Sequence, residues 1–223
     1  MIVLSDEPLG LVGGGPISVT EFNTLRAIAP RMVAADGGAL VLHARGIMPE
    51  AVIGDLDSLP DVVLSDYAGR IHRIAEQETV DFEKVIQRVQ SPLMVGVGFL
   101  GGRMDHTMAT MNVLVRHASR PIFLLSDVDV FFALDQGLHE MELEPGTRLS
   151  ILPMAETGIS ATGLAWPLEK AVLSPDAMIS VSNKVIGSGK VRIETDAPVL
   201  ITLPLAAHGA VMAKHAQGGV RAG

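Results

Sequence analysis

Four apolar, β-branched stretches in the first half of the chain each run into a loop that carries acids. Met32-Val33-Ala34-Ala35 leads to Asp36-Gly37-Gly38, and Ala51-Val52-Ile53 to Gly54-Asp55-Leu56-Asp57-Ser58. Ile71-His72-Arg73-Ile74 precedes Glu76, Glu78 and Asp81, and Leu93-Met94-Val95-Gly96-Val97 precedes a loop from Gly98 to Asp105. Between them the period changes from strand-like to helical. Phe82, Val85, Ile86 and Val89 recur at helical spacing and predict an amphipathic helix over 79–90. Helices are also expected at 38–44, at 107–117, and up to Ala29 behind a cap at Ser18 or Thr20. Leu9-Gly10-Leu11-Val12 and Ile122-Phe123-Leu124-Leu125 read as buried strands. Strands alternating with helices predict βαβ units and a parallel sheet.

The rhythm changes near residue 126. Strand-length pieces follow at 128–134, 137–143, 148–153, 158–162, 177–181, 190–195 and 199–203, separated by Asp135-Gln136-Gly137, Glu144-Pro145-Gly146 and Gly187-Ser188-Gly189 turns. The expected fold class is therefore α/β plus all-β. A Rossmann-like, parallel-sheet nucleotide domain (1–126) precedes a small antiparallel β-sandwich or barrel (127–223), with a frayed Gly/Ala-rich tail from about Gly209.

In a parallel sheet the acidic loops share one edge, where open α/β folds bind ligands. Gathered carboxylates repel unless a cation joins them, and Mg²⁺ is usually shared between carboxylates and substrate phosphates. Asp55 and Asp57 can aim at one point if their loop is extended. Taken alone, this segment serves equally well as a helix-capping turn; three further acidic loops at the same edge favour a metal. At Asp36-Gly37-Gly38 two readings stand together: a site where an anion or ribose approaches the backbone, and a helix cap. Asp81 lies in or near a first helical turn, where the helix dipole favours an acid without any function. That bland reading is preferred for Glu78 and Glu83, and Lys84 reads as part of a solvated face. Arg103 can hold phosphate in its fork, with Asp105 within reach of metal or substrate; the same residues would also make a loop ion pair. His106 reads as structural.

Composition narrows the field. The 223 residues carry a net charge of −8 without a Lys/Arg block, which argues against a nucleic-acid partner. There is no cysteine, so disulfides, thiolate metal sites and cysteine nucleophiles are excluded. The N-terminus lacks a basic region before its apolar residues, and no uncharged apolar run reaches membrane-spanning length. A cytoplasmic protein with no membrane partner is expected. Walker A, HExxH, GxSxG and dinucleotide GxGxxG patterns are absent.

Taken in order, an ADGG loop (35–38), Pro49 with Gly54-Asp55-Leu56-Asp57-Ser58, an acidic helix start (78–81), Gly101-Gly102-Arg103-Met104-Asp105, Gly163-Leu164-Ala165-Trp166 and Ser180-Val181-Ser182-Asn183 resemble the thiamine pyrophosphokinase family. The resemblance implies transfer of diphosphate from ATP to the hydroxyl of thiamine, giving thiamine diphosphate and AMP by Mg²⁺-assisted in-line attack on the β-phosphorus. It implies a homodimer with active sites between subunits. Asp55, Asp57 and Asp81 correspond to catalytic or Mg²⁺-binding acids. Asp36, Gly37, Gly38, Gln77, Arg103 and Asp105 correspond to nucleotide contacts, and Ser180 and Asn183 to substrate contacts. Two positions depart from the family pattern. The D-x-T-D segment reads Glu78-Thr79-Val80-Asp81, losing a hydroxyl unless Thr79 compensates. Lys184-Val185-Ile186 stands where some members carry an aromatic that stacks on the thiamine pyrimidine. Trp166 is expected in the core rather than as a substitute stacker. These departures leave room for a pterin-type diphosphokinase, a non-catalytic nucleotide-binding regulator or, further off, a metal phosphohydrolase.

Overall fold

The computed structural model describes residues 1–216. Two compact units form: Met1–Val113 with Leu124–Asp127, and Leu114–Phe123 with Val128–Lys214.

The first unit starts with β1 (Val3–Leu4), β2 (Leu9–Val12), α1 (Val19–Ile28), β3 (Arg31–Ala35), α2 (Gly38–His43) and β4 (Ala51–Gly54). It continues with α3 (Asp61–Asp66), β5 (Ile71–Arg73), α4 (Asp81–Ile86), β6 (Val89–Gln90) and β7 (Met94–Val97). α5 (Met104–Arg116) and β8 (Ile122–Leu125) contribute residues to both units. Strands β7-β2-β3-β4-β5 lie in that order and every pair is parallel. The chain steps outward from β2 to β5 and then returns to β7 on the other side of β2. That reversal opens a crevice beyond the carboxyl ends of β2 and β7. β2, β4 and β7 are buried along their whole length, as parallel strands covered on both faces must be. Helix α1 begins with a capping box: Ser18 Oγ accepts from Glu21 N–H at 3.1 Å, and Glu21 Oε2 accepts from Ser18 N–H at 2.6 Å. Ser18, not Thr20, is thus the cap.

Helix α4 is shorter than the 79–90 periodicity suggests. It ends at Ile86 because Val89 and Gln90 leave it to pair with Val3 and Leu4 as β6 against β1. Short α3 was not foreseen.

The second unit is antiparallel. Its strands are β9 (Asp129–Leu134), β10 (Gly137–Glu142), β11 (Arg148–Pro153), β12 (Thr157–Thr162), β13 (Leu168–Leu173), β14 (Ser180–Lys184), β15 (Lys190–Thr195) and β16 (Val199–Pro204). They lie in two antiparallel runs of four, ordered β9-β16-β11-β14 and β10-β15-β12-β13, the second of which is a sheet of its own. β9 and β15 alternate buried and less buried positions, the pattern of strands with one face in a core. Three expectations are corrected. The strand placed at 177–181 is β14, displaced to Ser180–Lys184, where its pairing with β11 shifts register between Leu149 and Ile151. β13 was missed because Glu169 and Lys170 break the alternation, Lys170 having a φ of 48°. The tail does not fray at Gly209: His208–Ala216 is α6, which buries Val211 and Met212. The remainder of the expected tail lies outside the described residues.

Candidate active site

A cavity of about 520 Å³ opens in the first unit at the carboxyl ends of the parallel strands. The Gly13-Gly14-Gly15 loop, Asp36-Gly37, Ser58, Val80-Asp81-Phe82, Gly98-Phe99 and Gly101-Gly102-Arg103 line it, with His106 and Thr110 one helical turn apart on α5. The loops after β2, β3, β4 and β7 therefore converge, and the stretch after β5 joins them through Val80 and Asp81.

Two glycines let the loops meet. A Cβ at Gly38 would lie 1.9 Å from the Val12 carbonyl oxygen, and one at Gly54 would lie 2.9 Å from Asp36 Cβ. Asp36 has a φ of 41° and Leu56 one of 62°, conformations that cost energy for residues with side chains. They are linked: Asp36 Oδ1 accepts from Leu56 N–H at 3.0 Å. Asp36 thus fastens the β4 loop to the end of β3 instead of capping α2, whose N-terminus has no side-chain cap.

Asp55 is the most heavily contacted acid. Its carboxylate accepts from Gln77 Nε2 at 3.1 Å and faces Lys84 Nζ at 3.6 Å; its backbone carbonyl accepts from Arg73 at 3.0 Å. The Gln77 hydrogen bond, aided by the Asp57 N–H and by Lys84, holds the Asp55 carboxyl below the usual carboxylate range. Asp81 goes the other way. Burial raises it first, the nearby charges of Asp36 and Asp55 add to the rise, and Lys84 at 3.5 Å opposes it. Asp57 is exposed, with its N–H directed to Asp55 at 3.4 Å.

Lys84 overturns the sequence expectation of a solvated cation. Its side chain is 2% exposed and bridges Asp55 and Asp81. The reason is geometric: α4 packs on β3 and β4, so the face carrying Asp81 and Lys84 turns toward the strand ends. Glu83, read as a helix-start acid without function, is also buried, and accepts from Gln87 at 3.3 Å. Glu76 was not singled out. It accepts from the backbone N–H groups of Glu78 and Thr79 at 2.8 and 3.0 Å and from the Thr79 hydroxyl. Thr79 is thus engaged within its own loop, and Val80 presents an apolar side chain to the cavity.

Arg103 lines the cavity and forks onto Asp105 at 3.2 and 2.6 Å, while Asp105 also accepts from His106 N–H at 3.0 Å. The pair leaves both side chains exposed, so Arg103 can exchange its partner for another anion at little cost.

Ser180 and Asn183 are buried in the second unit. The Asn183 amide holds the Trp166 backbone, donating to its carbonyl at 2.6 Å and accepting from its N–H at 3.2 Å. Trp166 is 64% exposed, contrary to the expected core position; Asn183 fixes the backbone while the ring faces outward.

Among the described residues no three potential ligands form a metal-binding group. The donor chemistry of the acids nonetheless fits a hard cation: Asp36, Asp55 and Asp81 bring carboxylate oxygens, with Lys84 between the last two, and Mg²⁺ is commonly held by one or two carboxylates plus phosphate oxygens.

Residues 22–125 match the family described as "Thiamin pyrophosphokinase, catalytic domain", and residues 138–200 match "Thiamin pyrophosphokinase, vitamin B1 binding domain". Thiamine pyrophosphokinase 2 of Oryza sativa subsp. japonica is 34% identical over 177 residues, which cover 71% of this chain and 66% of the rice protein. Thiamine pyrophosphokinase 3 of the same species is 30% identical over 184 residues, 74% of this chain and 69% of that protein. In three dimensions the chain is similar to thiamin pyrophosphokinase from Candida albicans, with a TM-score of 0.76 at 17% identity over 91% of this chain and 92% of that one. The corresponding protein of Geobacillus thermodenitrificans gives 0.71 at 23% identity, over 88% and 96%. These likenesses establish an α/β region with a mixed sheet and helices, together with antiparallel sheets. With both family regions present in order and relatives at 30% identity or more, this chain belongs to the thiamin pyrophosphokinase family.

Proposed function

We propose that this protein transfers diphosphate from ATP to the hydroxyl of thiamine, forming thiamine diphosphate and AMP. The observation that carries the reading is the cavity at the parallel strand ends, which Asp36, Asp81 and Arg103 line, with Asp55 tied to Asp81 through Lys84. Family membership supplies the substrates. The pterin-type and non-catalytic readings draw no support from the comparisons.

In this mechanism the thiamine oxygen forms a bond to the β-phosphorus as the bond from that phosphorus to the α-phosphate oxygen breaks, and AMP leaves. A carboxylate among Asp55, Asp57, Asp81 and Asp105 takes the hydroxyl proton late in the step. Arg103 holds polyphosphate oxygens, and Asp36 with the Gly37-Gly38 backbone and Gln77 orients the nucleotide. One or two carboxylates among Asp55, Asp57 and Asp81 would hold Mg²⁺ together with phosphate oxygens, and the ion would offset charge on the phosphates. Positioning and electrostatics supply most of the rate. Asn183 positions the Trp166 loop, and Ser180 and Asn183 belong to the thiamine side of the site.

We assign 1–126 as a Rossmann-like catalytic domain and 127–223 as the thiamine-binding and dimerisation domain of a cytoplasmic homodimer with active sites between subunits. Among the described residues no helix is long and apolar enough to cross a membrane.

Incubation with ATP, Mg²⁺ and thiamine tests the reading. AMP and thiamine diphosphate are expected together, and Asp55→Asn should lower turnover about 10²–10³-fold while the protein stays folded. A folded Asp55→Asn protein with full turnover would remove Asp55 from the site.

A further inference from the structure

Lys84 is the least expected group in the acidic centre. It sits on α4 at 1% exposure with its Nζ 3.6 Å from Asp55 Oδ2 and 3.5 Å from Asp81 Oδ1. A buried ammonium is costly unless it is paired, and two carboxylates on different elements, the β4 loop and the start of α4, share this one. Asp36 adds a further negative charge felt by Asp81. Lys84 is the cation that faces the carboxylates, while Arg73 reaches the Asp55 backbone carbonyl; without Lys84 the repulsion between the carboxylates would fall on the loop that carries Asp55.

We propose that Lys84 is a positioning residue, a resident counter-ion that holds Asp55 and Asp81 in place before any divalent ion arrives. This rests on the reading of the acidic centre as an ion site only in its second consequence. A fixed cation weakens the pull of the centre on a free divalent ion, so the ion is retained when polyphosphate brings its own negative charge. The first consequence, that the acids stay ordered in metal-free protein, needs no metal at all.

The test is a double-mutant cycle on chelator-treated protein, read as thermal midpoint. In the parent protein Asp55→Asn removes one partner of Lys84 and lowers the midpoint. Lys84→Met leaves Asp55 facing Asp81 without a cation and should lower it by on the order of 10 °C. Adding Asp55→Asn to Lys84→Met relieves that repulsion, so here the same substitution raises the midpoint. The reversal of sign supports the counter-ion role, because a packing role for the Lys84 stem would leave the effect of Asp55→Asn in the same direction in both backgrounds. The same direction in both would overturn the proposal. If Lys84→Met does not fold, Lys84→Gln carries the same cycle.

Mg²⁺ without nucleotide should then bind Lys84→Met about tenfold more tightly than the parent. Equal affinities would overturn the second consequence. Sign reversal with no Mg²⁺ response in either protein, with or without ATP, would support the positioning role and count against the metal reading of the site.

Discussion

At Asp36 a single side chain does two structural jobs. It occupies a left-handed backbone conformation and accepts from Leu56, itself at positive φ, so two costly conformations hold each other. The fit leaves no room for added atoms nearby. Gly38→Ala drives a methyl into the Val12 carbonyl and should destabilise the protein by about 3 kcal/mol, measurable by urea denaturation. A loss well under 1 kcal/mol would mean that the loops are looser than described. The Asp36, Asp55 and Arg103 motifs could be read from the sequence because glycines and charged residues cluster at strand ends. The Arg103–Asp105 pair could be read as well; the partners of Asp36 and Asp55 could not. Lys84 three residues after Asp81 has the spacing of any exposed helix ion pair, and only the packing of α4 on β3 and β4 shows which face is buried. Trp166 misled for a related reason: an apolar ring predicts burial, but Asn183 is spent on its backbone and leaves the ring outside.

Between β5 and α4 the chain has little regular structure, and Glu76 supplies the order. Its three hydrogen bonds to Glu78 and Thr79 shape the segment that delivers Gln77 to Asp55 and Asp81 to the cavity. Glu76→Ala should lower kcat roughly tenfold while shifting the thermal midpoint little; unchanged kinetics would show that the segment is ordered without it. The Thr79 hydroxyl, followed by the backbone N–H groups, holds the Glu76 carboxyl below its ordinary value. Folded Glu76 therefore binds its proton less readily than unfolded Glu76. Its tie is fully present above the ordinary carboxylate range and is lost as pH falls through the depressed folded value. Carbon-detected titration of Glu76 should report that lower midpoint, and Thr79→Val should raise it; a midpoint unmoved by the substitution contradicts the assignment. Elements with a clear period were legible: β2, β3, β4, β7, α1 and most second-unit strands. β13 was hidden by Glu169 and Lys170, and α4 was over-extended because Val89 keeps helical spacing while pairing as a strand with Val3.

For the molecule as a whole, one feature calls for a partner. The second unit exposes Trp166 at 64%, with Ile179, Val181 and Ile186 also exposed, and tryptophan is among the residues enriched at contact surfaces. In the proposed homodimer Trp166 is expected to be covered or to meet thiamine. Trp166→Ala should raise KM for thiamine or the dimer dissociation constant about tenfold or more, with KM for ATP unchanged; sedimentation and steady-state kinetics separate the two routes. No change in either would take Trp166 out of both. The loss of helical periodicity near residue 126 could be read from the sequence, whereas α6 and the membership of 114–123 in the second unit depend on contacts that no local pattern encodes.

The central claim is that the site moves two phosphates at once. The most direct test is product stoichiometry in a purified reaction with thiamine, ATP and Mg²⁺. Attack on the β-phosphorus predicts one AMP for each thiamine diphosphate, with no ADP and no thiamine monophosphate on the way. ADP matched to thiamine monophosphate would place the attack on the γ-phosphorus and contradict the account.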